Sequence, residues 1–369
     1  MLKKKLKRIT VKVGTKVLTD KHNRLDLKVI KGLADQAAGL MDRGVQVILV
    51  SSGAIGAGLG LLDIEKKGRS LSELQAIASI GQSHLMSVYN KFFEKKGYVA
   101  GQILLTQEYF NDRRRFLNIR YTLNALLNYR AVPIINENDS IATDELKCGD
   151  NDRLSSLVAD LADSDMLIIL TDVDGLYDEN GRVIEKVEKI TAGILSLDKG
   201  KGSEESTGGM MTKLSSVRNA AHSGIPCVIA RGRRKNVILE IVDGKGAGTV
   251  FEAHGKPLQA RKRWIAFSLK PKGSITVDSG AERAIVKSNR SLLASGVLNV
   301  SGRFSDGDVI DVLAEDKRLI ARGLSNYSCD EIKKIKGIRS DRIESELGYK
   351  DYDEIIHRDN LVILTESGG

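Results

Sequence analysis

The stretch VQVILVSSGAIGAGLG, residues 45–60, joins an apolar run to a glycine-rich turn. Residues 45–50 are apolar at nearly every position, which is typical of a parallel strand covered on both faces. Similar runs recur up to about residue 250, with segments of helical periodicity between them. The alternation predicts an α/β domain with a mainly parallel sheet sandwiched by helices. The predicted strands are 9–13, 45–50, 99–105, 131–135, 166–170 and 226–230, and the predicted helices are 27–40, 71–94, 113–129, 151–162 and 210–223.

The chain of 369 residues changes character after this domain. Residues 256–270 are largely polar and basic and predict a linker between two domains, 1–255 and 271–369. Beyond the linker the apolar runs are short and separated by turns, which predicts a small β-rich barrel or sandwich. The hydrophobic content of 41% is enough for two domains with sizeable cores.

Cysteine, histidine and apolar patterns limit the compartment and the chemistry. No stretch approaches the roughly 20 apolar residues that span a bilayer, and the basic start leads into a strand-like segment. The three cysteines are far apart, which favours reduced thiols, and the five histidines have no ligand spacing. We therefore expect a cytoplasmic protein, with no membrane contact and no metal held by its own side chains.

An acidic segment interrupts a chain whose formal net charge is +9. Residues 136–152, NENDSIATDELKCGDND, hold six carboxylates and three asparagines against one lysine, directly after a predicted strand. An open sheet delivers a ligand-binding loop at such a position, directly after the strand. Composition alone leaves a solvated acidic loop as the alternative. The asparagines that alternate with acids in NEND and GDND favour a site for a cationic or multiply hydrogen-bonding ligand.

Two glycine-rich segments suggest phosphate binding. Residues 51–60 allow backbone N–H groups to approach an anion at a helix N-terminus, although a turn with close helix packing stays open. The spacing is not a dinucleotide fingerprint, because Asp63 stands at the third glycine position, so a nicotinamide enzyme is disfavoured. Residues 206–213, STGGMMTK, supply hydroxyls, backbone N–H groups and a lysine at a predicted helix start, but no Walker A motif is present.

Two further elements follow predicted strands or lie inside them. The segment TDVDGLY, residues 171–177, is either part of a nucleotide site or an ordinary turn. Lys12 lies within an apolar strand, where a lysine is costly to bury without a partner, so we expect it to meet an anion.

Together these segments resemble the amino-acid kinase family, and they occur in the family's order. NEND and GDND are the most specific, because they belong to the amino-acid pocket, and they resemble the members that phosphorylate glutamate. From about Gly273 the segments VDSGAERAI, SLLASGV, VSGRFSDGDVI and IARGLSNYS resemble a PUA domain. The segments that carry the kinase resemblance are VKVGTKVL (11–18), SSGAIGAG (51–58), NEND (136–139), GDND (149–152), TDVDGLY (171–177) and TGGMMTK (207–213).

The resemblance implies ATP-dependent phosphorylation of the γ-carboxylate of L-glutamate to L-glutamyl 5-phosphate, the first step of proline synthesis. It also implies Mg²⁺ held mainly through the nucleotide phosphates, proline as a feedback inhibitor, a homo-oligomer and contact with glutamyl phosphate reductase. Lys12 and Lys213 match the lysines that neutralise the transferring phosphoryl group, and Asp152 matches an aspartate that organises them. The matched glutamate-pocket positions are Ser52, Gly53, Asn136, Asp139, Asp150 and Asn151, and the matched ATP positions are Lys12, Thr171, Asp172, Thr207, Gly208, Gly209, Met210, Met211, Thr212 and Lys213.

The implied chemistry agrees with the residue types present. A carboxylate of pKa about 4.3 is ionised near neutrality and needs no general base. Bringing two anions together needs lysines, backbone N–H groups and Mg²⁺, whereas the substrate's ammonium group needs the oxygens of the acidic segment.

Two alternatives remain. A related kinase acting on N-acetylglutamate, aspartate, carbamate or UMP would share the nucleotide loops but not a pocket for a free ammonium group. A protein that binds or modifies RNA is suggested by the PUA-like module and the sequence pI near 9.2. Residues 264–369 hold 16 Lys and Arg against 17 Asp and Glu, so the basic excess lies in the first domain. RNA binding by the second domain is therefore not expected.

Overall fold

The computed structural model describes residues 6–65, 67–111, 113–141, 150–191, 193–194, 197, 209–253, 265 and 271–364. The chain divides into two compact units, Met1–Pro257 and Leu258–Gly369. The predicted linker 256–270 lies outside the described residues except for Ile265, which is fully buried and packs with Val309 and Val362 of the second unit. Among the described helices, none combines the length and the apolar character needed to cross a membrane.

An eight-stranded sheet forms the centre of the first unit. Its order is β3-β4-β2-β1-β5-β7-β8-β6, and every neighbouring pair is parallel except β7 with β8. The inner strands are buried along almost their whole length, as the uninterrupted apolar runs predicted. The strands are β1 Arg8–Val13, β2 Gln46–Ser51, β3 Ala100–Leu105, β4 Val132–Glu137, β5 Met166–Thr171, β6 Lys186–Val187, β7 Cys227–Arg231 and β8 Thr249–Phe251.

Helices flank this sheet, and local sequence explains where several of them start. Asp26 accepts hydrogen bonds from the backbone N–H groups of Lys28 and Val29, and Ser70 forms a capping box with Glu73. The predicted α/β class with a mainly parallel sheet is confirmed. The helices are α1 Thr15–Leu18, α2 Leu27–Asp42, α3 Ala54–Leu62, α4 Leu71–Glu94, α5 Arg113–Asn128, α6 Asp150–Leu161, α7 Met210–His222 and α8 Val237–Val242.

The predicted end of the strand that precedes the acidic segment was wrong. NEND was expected to form a loop after the strand 131–135, but Asn136 and Glu137 are the last two residues of β4. They stay in the sheet because they lie in register with Leu104 and Leu105 of β3. Both side chains are therefore positioned by a strand and not by a loop.

The glycines of residues 51–60 have two different uses. Gly53, which directly precedes α3, has φ +97°. This left-handed backbone conformation favours glycine. Gly58 instead permits close helix packing, because a Cβ there would lie 2.1 Å from the carbonyl oxygen of Ile77 in α4. Gly81 of α4 is equally tight, with a Cβ position 1.8 Å from the carbonyl oxygen of Ala54. Close helix packing, left open from the sequence, therefore accounts for part of this segment.

The second unit is β-rich, as predicted. A five-stranded sheet has the order β11-β9-β12-β13-β15, with β9 and β12 parallel and the other pairs antiparallel, and β10 pairs with β14. Apolar side chains of the strands and helices form its own core. The elements are β9 Gly273–Val277, α9 Ser279–Ser288, β10 Leu292–Leu293, β11 Val297–Gly302, β12 Val309–Leu313, β13 Leu319–Leu324, α10 Cys329–Ile335, α11 Ile343–Leu347, β14 Glu354–Ile356 and β15 Leu361–Ile363.

We predict that Gly81→Ala lowers the free energy of unfolding by at least ~2 kcal/mol, because the new methyl group meets the backbone of α3. Gly39→Ala is the matched control, since Gly39 lies inside α2 with nothing within 4 Å of its Cβ position. This control should stabilise the protein by about 0.5–1 kcal/mol. Urea unfolding measures both changes, and equal effects of the two substitutions would contradict the packing argument.

Candidate functional site

The carboxyl ends of four neighbouring strands meet at one edge of the first unit's sheet. The strands β4, β2, β1 and β5 are adjacent and parallel, so the residues that follow them lie close together. Backbone hydrogen bonds hold this edge, from Ser52 to the Val13 carbonyl at 3.1 Å and from Gly14 to the Leu170 carbonyl at 3.0 Å. Ligands of open α/β sheets bind at such an edge.

A carboxylate lies between two lysines at this edge. Lys12 Nζ of β1 is 2.7 Å from Asp152 Oδ1, and Lys213 Nζ of α7 is 3.5 Å from Asp152 Oδ2. Thr212 also donates its hydroxyl to Asp152 Oδ2 at 2.8 Å. Asp152 is 1% exposed, and both lysines are buried as well. The structure thus brings together the three residues predicted to be catalytic.

Electrostatics keep this cluster charged. Burial raises the pKa of the Asp152 carboxyl, but the ammonium groups of Lys12 and Lys213 outweigh burial and hold that pKa below its ordinary value of 3.8. Burial lowers the pKa of Lys213 below its ordinary value of 10.5, although attraction by Asp152 opposes the change. The cluster therefore carries two positive charges against one negative charge, which leaves a net positive charge for an anion.

Side-chain amides join the end of β4 to the start of α6. Asn151 donates its Nδ2 to Asn136 Oδ1 at 3.0 Å, and Asn136 donates its Nδ2 to Gln82 Oε1 at 2.8 Å. The backbone N–H of Glu137 also donates to Asn136 Oδ1 at 2.9 Å and to Asn151 Oδ1 at 3.3 Å. Two predicted glutamate-pocket residues are therefore in direct contact.

The other predicted pocket residues lie at the same edge. Ser52 and Gly53 join β2 to α3, whose N-terminus has no side-chain cap among the described residues. Asp139 is half-buried and lies two residues beyond the end of β4. Asp150 begins α6, and its side chain lies outside the described part.

The predicted ATP residues that the structure describes lie on β1, at the end of β5 and directly after it, and at the start of α7. Thr171 ends β5 and donates its hydroxyl to Asp172 Oδ1 at 3.0 Å. Gly209 directly precedes α7, whose N-terminus has no side-chain cap among the described residues. Met210 and Met211 form its first turn, while Thr207 and Gly208 lie outside the described residues.

Two side chains near the site were not among the predicted residues. Lys16 Nζ of α1 lies 3.3 Å from Asp172 Oδ2, and both side chains are about half exposed. Gln82 of α4 is 8% exposed and contacts Asn136. One feature of the sequence could have indicated Gln82, because it interrupts an apolar helix face that includes Ala78 and Leu85.

The described residues contain no group of three or more His, Cys, Asp or Glu side chains suited to hold a metal ion. Asp152 is already paired with lysines.

Comparison with known proteins agrees with this arrangement. The Amino acid kinase family model matches residues 7–231, and the PUA domain model matches residues 273–347. The chain belongs to the amino acid kinase family.

Several curated relatives are similar over nearly the whole chain, and each carries the name glutamate 5-kinase. The protein of Thermoanaerobacter sp. (strain X514) is 47% identical over 363 residues, which cover 97% of this chain and 98% of that protein. The proteins of Geobacter sulfurreducens and Pelobacter propionicus are 46% and 45% identical, with 98% of each chain covered.

We predict that Asp152→Asn destabilises the protein by about 3 kcal/mol at pH 7, because two buried ammonium groups lose their counter-charge. The folded pKa of Asp152 lies below 3.8, so the stabilisation is complete above that pH and is lost as the pH falls through the folded pKa. The difference in melting temperature between variant and wild type should therefore shrink below about pH 3.8. The exposed Asp306→Asn is the control, and a pH-independent difference for Asp152→Asn would contradict the assignment.

Proposed function

We propose that this protein transfers the γ-phosphoryl group of ATP to the γ-carboxylate of L-glutamate, giving L-glutamyl 5-phosphate and ADP, in the first step of proline synthesis. The observation that carries the proposal is the buried pair of lysines on Asp152, placed beside Asn136 and Asn151. The names of the relatives support the choice of glutamate.

The lysines do the electrostatic work of the transfer. The attacking carboxylate and the γ-phosphate are both anionic, so they approach only where positive charge is fixed in advance. Lys12 and Lys213 hold that charge, and Asp152 pairs with one ammonium group on each of its two oxygens. As the bond between the γ-phosphorus and the bridging oxygen breaks, the lysines stabilise the charge that spreads over the phosphoryl oxygens.

The segments around β4 and α6 bind glutamate. Its α-ammonium group needs oxygen acceptors, which the carboxylate of Asp139 and the amide oxygen of Asn151 supply. The α3 N-terminus, which directly follows Ser52 and Gly53, offers backbone N–H groups to a carboxylate. Holding the reactants in line supplies the rest of the rate enhancement.

ATP enters with Mg²⁺ bound to its phosphates. Gly209 and the first turn of α7 offer backbone N–H groups to the phosphates, and Thr171 and Asp172 contact the nucleotide. A cytoplasmic location, a homo-oligomer, proline feedback and contact with glutamyl phosphate reductase remain predictions. Residues 271–369 then have a structural or regulatory role.

The test of the reaction is chemical trapping of the acyl phosphate. The purified protein with ATP and Mg²⁺ should form a hydroxamate from glutamate in the presence of hydroxylamine, and far less from N-acetylglutamate or aspartate. Hydroxamate formation with N-acetylglutamate or aspartate, but not with glutamate, would assign the protein to another branch of the family. No product with glutamate would sink the proposal.

Separate variants test the division of roles. Lys213→Ala should lower kcat at least about a hundredfold with less than about a threefold change in the KM of glutamate, because its charge matters most in the transition state. Asp139→Ala should chiefly raise the KM of glutamate. Steady-state kinetics with each substrate varied measures both effects, and the reverse pattern would refute the assignment.

A further inference from the structure

Gln82 is a buried glutamine outside every segment that carries the family resemblance. It lies on α4, is 8% exposed, and faces the site with its amide oxygen, which accepts the hydrogen bond from Asn136. Its Nε2 is buried without a hydrogen-bond partner among the described residues. A buried donor without a partner is unfavourable, so an apolar residue would suit the fold better at this position. The presence of a glutamine at this position is therefore explained only by the hydrogen bond that its oxygen accepts from Asn136.

The direction of the hydrogen bonds follows from a backbone donor. The N–H of Glu137 donates to Asn136 Oδ1, so the Nδ2 of Asn136 must point at Gln82, and Gln82 must present its oxygen. The same N–H donates to Asn151 Oδ1, so the Nδ2 of Asn151 faces Asn136. The amide groups therefore form one directed chain from Asn151 through Asn136 to Gln82.

The two asparagines differ in how many hydrogen bonds their side-chain oxygens accept. Asn136 Oδ1 already accepts two hydrogen bonds, one from Glu137 and one from Asn151, which occupy both of its lone pairs. Asn151 Oδ1 accepts only the bond from Glu137 among the described contacts, so one acceptor site is left for an ammonium group. Asn151 is thus suited to touch the substrate, while Asn136 is suited to hold Asn151.

We propose that Gln82 is a positioning residue for glutamate binding, which acts through Asn136 to orient the amide of Asn151. The inference rests on the proposed function. Asn151 directly precedes Asp152, so the same chain also restrains the first turn of α6 beside the lysine cluster. Loss of the Gln82 oxygen leaves Asn136 Nδ2 without its acceptor, Asn136 turns, and Asn151 loses its fixed orientation.

The experiment replaces Gln82 with residues of similar size. Gln82→Met removes the oxygen and keeps the volume, and should raise the KM of glutamate about tenfold while kcat and the KM of ATP change less than about threefold. Gln82→Glu keeps an acceptor oxygen and should restore the KM of glutamate to within about threefold of wild type. Equal defects in both variants would overturn the role of the oxygen.

A matched control distinguishes loss of Asn151 positioning from general destabilisation of the fold. Gln36 is a second buried glutamine, on α2, whose Nε2 donates to the Gly32 carbonyl and whose Oε1 accepts from the Ile238 N–H. Gln36→Met should lower the melting temperature without raising the KM of glutamate. A similar rise in KM for both methionine variants would refute the inference.

A double-mutant cycle tests the route through Asn136. In an Asn136→Ala background, Gln82→Met should change the KM of glutamate by less than about twofold, because the two residues act in series. Additive effects would contradict this route. Failure of the wild-type protein to form the hydroxamate rejects the proposed function, whereas an active wild type with a normal Gln82→Met rejects only the positioning role.

Discussion

A buried carboxylate between two buried ammonium groups is the interaction on which the site depends. Asp152 comes from α6, Lys12 from β1 and Lys213 from α7, so one ion-pair cluster joins the middle of the sheet to two helices. Asp152 offsets part of the cost of burying the two lysine side chains, because a buried charge without a partner is strongly unfavourable. The same cluster is the proposed centre of phosphoryl transfer. One set of contacts would therefore serve both the stability of the fold and the proposed reaction.

The sequence was sufficient for the fold class because the relevant signals are local. Uninterrupted apolar runs such as residues 45–50 and 166–170 identify buried parallel strands, and all of the long helices were visible as periodic segments. The strand ends were less predictable. Asn136 and Glu137 were predicted to lie in a loop because they are polar, yet pairing with β3 keeps them in the sheet. Such tertiary pairing cannot be read from a single segment.

The site was predicted in a similar, partial way. Lys12 was conspicuous because a lysine in an apolar strand needs a partner, but nothing in the residue pattern identified Asp152, 140 positions later, as that partner; the family resemblance was needed for it. Gln82 was missed because it lies outside every recognised motif. Lys16 was missed although it lies in the segment VKVGTKVL, because its contact with Asp172 joins residues that are distant in sequence. The glycines at 58 and 81 were ambiguous for the same reason, since helix contact and anion binding both favour glycine.

Helix α4 contacts both α3 and β4 within a single turn. Gly81 lets α4 touch the start of α3, directly after Ser52 and Gly53, and the adjacent Gln82 contacts Asn136 on β4. The spacing between α3 and α4 and the hydrogen bond to Asn136 therefore depend on adjacent residues of one helical turn. A larger side chain at residue 81 would push α4 away from α3 and would also shift the acceptor oxygen of Gln82. The two contacts are coupled through the backbone of α4 and cannot be changed independently.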